Sequence, residues 1–165
     1  MKTTFLILAA VMLCAFSLSD KKTDRKEIEK FLVEMTDARL MDREEGRLAA
    51  ERGTTKDIRD YGTWMVNDQT VLLEKLKKLA AQEKVTLPEK ISTEKSKALE
   101  KLKEKIGTDF DDKFLKMIKI DHKRDVRKFK KAAGFDNANV STFAKENLPI
   151  IEKHLSGVEA IKKSM

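Results

Sequence analysis

Four segments of the sequence carry apolar residues at spacings of three and four, and each segment carries one polar residue on the same face. Such spacings gather side chains on one side of an α-helix, so each of these polar residues is predicted to face a core. A polar group in that position must be hydrogen-bonded or must bind something to be tolerated. The four residues, each near the middle of its segment, are Asp42, Gln69, His122 and His154. We expect them to meet at one level of a helical bundle.

Glycines, prolines and capping residues divide the chain into four long helices and one short helix. The long helices are predicted at about 23–52, 56–84, 110–133 and 140–161, and the short one at about 93–106. Charged residues make up 38% of the chain, which has only two prolines and six glycines, and this composition favours helices over strands. One proline, Pro149, falls inside the last helix and is predicted to kink it.

The connection between the second and third long helices is the longest, at roughly 25 residues, and this length is typical of a bundle with one crossover. An up-down-up-down bundle is the alternative, but its loops are short throughout. The sequence therefore predicts an all-α, ferritin-like four-helix bundle, whose long crossover contains the short extra helix. A single domain is expected over residues 20–165.

The first nineteen residues differ in composition from the rest of the chain. Lys2 gives a positive start, residues 5–16 are almost entirely apolar, and small residues follow at Ser17 and Ser19. An apolar run of about a dozen residues is too short to span a membrane, which takes roughly 20. We therefore predict that residues 1–19 are a signal peptide, that the protein is exported to the periplasm, and that no transmembrane segment remains after cleavage. A buried N-terminal helix is the alternative.

Cys14, the only cysteine, lies at the end of this apolar run. The segment Val11-Met12-Leu13-Cys14 has the apolar approach of a lipidation site, but Leu13 stands where a small residue is usual. Cleavage near Ser19 is the favoured outcome, and lipidation of Cys14, which would attach the protein to the membrane, is the alternative. In either case the mature domain contains no disulfide.

Several short motifs follow one another in order between residues 31 and 161. They are Gly46-Arg47-Leu48-Ala49, Tyr61-Gly62-Thr63-Trp64-Met65-Val66-Asn67-Asp68-Gln69, Val85-Thr86-Leu87-Pro88, Phe110-Asp111 with Phe114, Asp121-His122, Leu148-Pro149 and His154-Leu155. In order and spacing they resemble the bacterial exported proteins grouped as domain of unknown function 4142. The resemblance implies a ferritin-like helical fold.

The chain departs from that family pattern at two of the four polar positions. The family's second helix usually reads Asp-His where this chain has Asp68-Gln69, and its first helix usually has glutamate at the position of Asp42. The change at Gln69 removes one histidine that would be a good zinc ligand.

The sequence argues against catalysis. A di-iron bundle needs two Glu-x-x-His pairs, but Lys119 and Ile151 stand three residues before His122 and His154. No glycine-rich phosphate loop and no Ser-His-Asp or Cys-His arrangement occurs in the sequence. We therefore expect that the protein is not an enzyme.

The four polar residues allow two interpretations. In one, Asp42, His122 and His154 hold zinc or copper with an open coordination position. In the other, the histidines belong to a structural network in which Asp42 accepts a hydrogen bond from one imidazole and the amide of Gln69 bridges to the other. The neighbouring residues Asp68 and Asp121 are candidate outer partners of either arrangement.

A basic run within the third long helix is a second candidate site. The simpler interpretation is a solvated helix face, and the alternative is a surface for an anionic partner such as lipopolysaccharide, phospholipid headgroups or an acidic protein. Nucleic acid is disfavoured as a partner, because no base-reading motif appears and export separates the protein from it. The basic residues are Lys116, Lys119, Lys123, Arg124, Arg127, Lys128, Lys130 and Lys131.

Two functions of different class remain. The preferred one is a non-enzymatic protein of the bacterial envelope, acting as a binding or stress-related module without a resident cofactor. The alternative is a periplasmic protein that binds a transition metal, zinc or copper, through the cluster of histidine and aspartate.

Overall fold

The computed structural model describes residues 20–165, with side chains described from residue 25 onward, so the predicted signal peptide and Cys14 lie outside the described residues. Within this range the chain forms helices and no strand, which confirms the all-helical prediction. The helices are α1 (Asp20–Arg52), α2 (Lys56–Gln82), α3 (Thr93–Lys103), α4 (Gly107–Ala132) and α5 (Ala138–Ser164).

The helix ends follow local capping chemistry. The side chain of Thr55 accepts a hydrogen bond from the Ile58 amide at 3.3 Å at the start of α2, and Asn137 caps α5 in the same way. The predicted start of α4 was wrong by three residues. Gly107 does not end a loop before the helix but is the first residue of α4, and its φ of +56° makes the turn from α3.

The long helices form two antiparallel pairs, α1 with α2 and α4 with α5, joined by a crossover. The amide of Thr54, in the α1–α2 loop, donates to Asp111 at 3.2 Å, so α4 starts at that end of the bundle. At the opposite end, Glu83 accepts a hydrogen bond from Asn137, which immediately precedes α5. The segment from α2 to α4 therefore runs the length of the bundle, as the crossover prediction requires.

The short helix α3 lies in this crossover and packs against α1 and α4. Leu99 and Leu102 are its buried side chains, and most of its remaining surface is exposed. The amide of Ser92, just before α3, donates to the Asp37 carboxylate at 2.7 Å and ties the start of α3 to α1. Apart from these two leucines, α3 therefore lies along the surface of the bundle.

The interior is built from two apolar clusters. One gathers side chains such as Phe31, Leu76 and Phe129 from the end of the bundle where α2 finishes. The other gathers Met65, Phe114 and similar residues from the end that contains the α1–α2 loop. On each long helix the predicted polar residue falls between the stretches that supply these two clusters.

The α1–α2 pair makes a close backbone contact near that middle region. A Cβ atom added to Gly62 would lie 2.5 Å from the Ala50 amide nitrogen and 2.6 Å from the Gly46 carbonyl oxygen. Only glycine allows this approach, because both neighbours are backbone atoms that cannot rotate away.

Candidate functional site

A layer of buried polar side chains separates the two apolar clusters. All four long helices contribute to it, and each member is at most 1% exposed. We call this set the polar layer, and its members are Arg39, Asp42, Glu45, Gln69, His122, Asp125 and His154. Ionisable groups are almost never buried so completely unless they are paired, so the pairing of each one matters.

The structure brings the four polar residues singled out in the sequence into this layer. The rings of His122 and His154 have their centroids 5.5 Å apart. The Gln69 amide nitrogen lies 3.1 Å from Nδ1 of His154, and an Asp42 carboxylate oxygen lies 4.0 Å from Nε2 of His122. The four helices therefore present these side chains at one level, as expected.

Arg39 is the residue that holds the acidic part of the layer together. Its guanidinium is fully buried and lies 2.7 Å from an Asp42 carboxylate oxygen. The same guanidinium nitrogen also hydrogen-bonds to Asp125 of α4, which ties α1 to α4. The expected hydrogen bond from an imidazole to Asp42 is therefore replaced by an ion pair, since 4.0 Å exceeds hydrogen-bond length.

Burial and pairing shift the pKa values of the ionisable groups of the layer in different directions. Burial alone would lower the pKa of Arg39, but Asp42 and Asp125 outweigh it and raise that pKa. Burial likewise opposes the charge of Asp125, but Arg39 and His122 outweigh it and lower the pKa of that carboxyl. For Asp42 the burial effect dominates over the attraction of Arg39, so its pKa is raised.

Glu45 differs from these residues because no basic group pairs with it. Neither carboxyl oxygen of this fully buried side chain has a hydrogen-bond partner among the described residues. Burial, reinforced by the charge of Asp42, raises the pKa of Glu45 well above its ordinary value. Glu45 therefore holds a proton more readily than an exposed glutamate does.

The two histidines are fixed in opposite tautomers. Nδ1 of His122 lies 3.2 Å from the Ile118 carbonyl oxygen, which can only accept, so this nitrogen carries the proton and Nε2 keeps its lone pair. Nε2 of His154 donates to the Asp68 carboxylate at 2.9 Å, and its Nδ1 accepts from the Gln69 amide. Burial lowers the pKa of each histidine to about 4, so both are neutral near pH 7.

The two candidate outer partners behave differently. Asp68 holds His154 directly, whereas Asp121 pairs with Arg124 on its own helix and not with His122. Aromatic side chains complete the setting of His154. The Tyr61 hydroxyl donates to the His154 carbonyl oxygen at 3.0 Å. The centroid of the Trp64 ring lies 4.4 Å from the centroid of the His154 imidazole.

The geometry does not fit a zinc or copper ion held by Asp42, His122 and His154. His154 has no free lone pair, because one nitrogen is protonated and the other accepts from Gln69. The guanidinium of Arg39 lies against Asp42, and its positive charge would repel a metal ion bound there. In the part of the chain that the structure describes, no three His, Cys, Asp or Glu side chains are placed to hold a metal ion.

A cavity of about 310 Å³ lies between α1, α3 and α4, and Asp125 forms part of its wall. Asp125 thus belongs both to the cavity and to the polar layer. Its Oδ1 has no hydrogen-bond partner among the described residues, and the same holds for Nε2 of His122. Both atoms are buried out of reach of a water molecule, so they are unsatisfied inside the layer and are not open to the cavity.

The basic run on α4 is largely neutralised by acidic residues of neighbouring turns and helices. Lys119 and Lys123 share Glu159 of α5, at 3.0 and 3.5 Å. The remaining pairs are Lys128 with Glu34, Lys130 with Glu152, Lys131 with Glu27 and Arg124 with Asp121. Of the seven candidates from Lys119 onward, Arg127 alone forms no ion pair with a described carboxylate. This arrangement favours a solvated helix face over a surface for an anionic partner.

Sequence reasoning did not single out Arg39, Glu45 or Asp125 for the site. The available signal was their spacing, because Arg39 and Glu45 lie three residues either side of Asp42, and Asp125 lies three residues after His122. Residues three apart share a helix face, so all three could have been assigned to the same seam.

None of the helices described between residues 20 and 165 combines the length and the apolar character needed to cross a membrane. Neither a comparison with curated proteins nor one with solved structures finds a match. A family model described as "Domain of unknown function (DUF4142)" matches residues 17–161, most of the chain and all of the polar layer. The chain therefore belongs to the DUF4142 family.

Proposed function

We propose that this protein is an exported, non-enzymatic binding module that holds a small polar ligand where the cavity meets the polar layer. One observation carries the proposal. Lys95 of α3 is half-buried, lines the cavity and forms no ion pair with a described carboxylate. A ligand in the cavity can accept a hydrogen bond from this ammonium group, and cavities of roughly 300 Å³ suit small molecules.

The chemistry of the layer supports binding rather than catalysis. Both histidines are fully buried, and the pKa of each is lowered to about 4 by burial, which makes them weak bases at neutral pH. His154 is further occupied at both nitrogens by Gln69 and Asp68. A nucleophile positioned beside a free base, which covalent catalysis needs, is absent from the described layer.

The N-terminal sequence supports the cellular setting of this proposal. A positive residue at Lys2, an apolar run over 5–16 and small residues before Asp20 are the pattern of a signal peptide. The site of action is then the bacterial envelope: the periplasm, or the membrane surface when Cys14 is lipidated. A net charge of +7 over the chain favours contact with anionic envelope components, although most basic residues of α4 are paired internally.

Native mass spectrometry of the protein purified from an envelope fraction tests the binding function. We expect a fraction of the protein to carry a small non-covalent adduct that is released on gentle activation. Ala98 lines the cavity on α3, so Ala98→Phe fills the space without changing any charge. The matched control is Ala160→Phe, at an exposed position on α5.

The adduct should disappear in Ala98→Phe and persist in Ala160→Phe. An adduct that survives in both variants would place binding elsewhere and contradict the proposed site. Protein that carries no small molecule, whether freshly isolated or after incubation with an envelope extract, would contradict the binding function itself.

A further inference from the structure

A second cavity lies between α2 and α5, at the end of the bundle where α2 finishes. Its volume is about 320 Å³, and it shares no wall residue with the cavity beside α3. Two largely buried side chains, Leu79 and Phe143, contribute apolar wall. Apart from these and Ala138, every side chain in the wall is polar or charged. We call this space the α2–α5 groove.

The charged groups of the groove are two lysines and one glutamate. Lys75 and Lys78 lie three residues apart on α2 and therefore share a helix face. Neither forms an ion pair with a described carboxylate, not even with Glu146 in the same wall, whereas the neighbouring Lys77 pairs with Glu74 at 2.8 Å. Both wall lysines are exposed, so a ligand in the groove reaches them without any change in the fold.

Asn147 of α5 holds the ammonium group of Lys75 at the wall. Nδ2 of Asn147 donates to the Phe143 carbonyl oxygen at 2.7 Å, and because a carbonyl only accepts, this bond fixes the orientation of the amide. Oδ1 of Asn147 then accepts from Nζ of Lys75 at 2.9 Å. An ammonium group has three N–H donors, and the neutral amide takes one of them without cancelling the charge. Two donors of Lys75 are left for a ligand.

The groove favours an anion over other small ligands. A cation would meet two ammonium groups and a single carboxylate, and a neutral molecule would leave both ammonium charges without a partner. Ala138 and Asn139, in the first turn of α5, also line the groove, and this positive end of the helix dipole carries no acidic residue. Glu83 accepts hydrogen bonds from the Asn137 and Asn139 side chains but does not line the groove.

The donors in the wall suit a phosphate group better than a carboxylate. A phosphate monoester carries a charge of about −1.5 to −2 near pH 7 and three acceptor oxygens, so it can accept from both lysines at once. The Thr142 hydroxyl and the Gln82 amide, both exposed in the wall, add neutral donors. A carboxylate, with one charge and two oxygens, matches fewer of these groups.

We propose that the α2–α5 groove binds a phosphate group, held by the ammonium groups of Lys75 and Lys78. The site is separate from the cavity of the proposed function, so each of the two can fail without the other. Two sources offer the same chemistry: a soluble phosphate monoester, or the headgroup of an anionic phospholipid in the envelope.

NMR titration of the nitrogen-15-labelled protein tests the site. The probes are inorganic phosphate and glycerol 3-phosphate, with acetate as the carboxylate control, and sodium chloride keeps the ionic strength constant. We expect saturable shifts of the Asn139 and Thr142 amide resonances with both phosphates and much smaller shifts with acetate. Lys75→Gln and Lys78→Gln should each raise the dissociation constant about three- to fivefold, the worth of one exposed ion pair, and the double variant should raise it about tenfold or more.

Lys77→Gln is the matched control, since Lys77 is exposed on the same helix and is absent from the groove. It should bind phosphate as the unmodified protein does. Equal weakening in Lys75→Gln and Lys77→Gln would show a general effect of charge and refute the assigned contacts. Acetate that shifts the same amides as strongly as phosphate would overturn the phosphate assignment.

Co-sedimentation with vesicles of phosphatidylglycerol and phosphatidylcholine distinguishes the two sources. Vesicle binding that is lost in the double variant and kept in Lys77→Gln would assign the site to a lipid headgroup. Saturable binding of glycerol 3-phosphate without vesicle binding would assign it to a soluble phosphate, and vesicle binding that persists in the double variant would exclude the headgroup as the occupant of this groove. A protein that binds neither phosphate probe and no vesicle would overturn the site.

Discussion

Replacing Arg39 by methionine should destabilise the protein more than any surface charge substitution. Methionine keeps an unbranched side chain in the core but removes the guanidinium, so Asp42 and Asp125 would be left buried beside each other without a positive partner. Removing one partner of a buried ion pair typically costs about 3 to 5 kcal/mol. With a urea m value of about 2 kcal/mol/M, the unfolding midpoint should fall by about 2 M.

The control for this substitution is Arg47→Met. Arg47 is exposed and pairs with Glu44 at 2.7 Å on the surface of the same helix, an interaction worth about 0 to 1 kcal/mol. The triple variant Arg39→Met/Asp42→Asn/Asp125→Asn separates charge from packing, because it removes the uncompensated carboxylates as well. Urea denaturation followed by circular dichroism should show that the triple variant recovers much of the lost stability. Equal, small losses in Arg39→Met and Arg47→Met would refute the buried ion-pair arrangement.

Three further outcomes are expected. In the folded protein the pKa of each histidine lies near 4, below the ordinary 6.5, so the unfolded chain takes up protons first as the pH falls, and the free energy of unfolding should drop by up to about 3 kcal/mol per histidine between pH 6.5 and pH 4. Urea unfolding of His122→Asn should depend less on pH across that window, and an unchanged dependence would contradict the assignment. Gly62→Ala should lower stability by about 1 to 3 kcal/mol, because its Cβ would lie 2.5 Å from the Ala50 amide nitrogen. Gly134→Ala should cost less, because its Cβ meets only a carbonyl oxygen at 3.5 Å, and equal thermal unfolding midpoints for the two variants would show that α1 and α2 are not so close. Zinc titration should show little binding to the unmodified protein and more to Gln69→His, because that substitution removes the amide that occupies the His154 lone pair. Tight stoichiometric zinc binding by the unmodified protein would show instead that the polar layer rearranges around a metal.

The positions that meet in the middle of the bundle were predictable from helical periodicity. Asp42, Gln69, His122 and His154 each share a seam with apolar residues, and a seam residue faces the core whatever its chemistry. The long crossover was predictable for a similar reason, because the number of residues between α2 and α4 exceeds what a tight turn needs. Local spacing was sufficient for both.

The partners within the layer were not predictable in the same way. Arg39 is buried because it meets Asp125, which lies 86 residues further along the chain, and no pattern within α1 reveals that meeting. Charged residues are usually exposed, so Arg39 and Glu45 would be assigned to solvent by default. The cavity depends on where the crossover lays α3 across α1 and α4, and the composition of that segment does not determine its path.

The tautomers of the two histidines test the polar layer most directly. Nitrogen-15 NMR of the imidazole rings at pH 6 should find both rings neutral, with His122 protonated on Nδ1 and His154 protonated on Nε2. The first follows from the Ile118 carbonyl and the second from the Asp68 carboxylate. Two histidines that share one tautomer, or that take up protons near pH 6.5 as exposed imidazoles do, would contradict the buried layer.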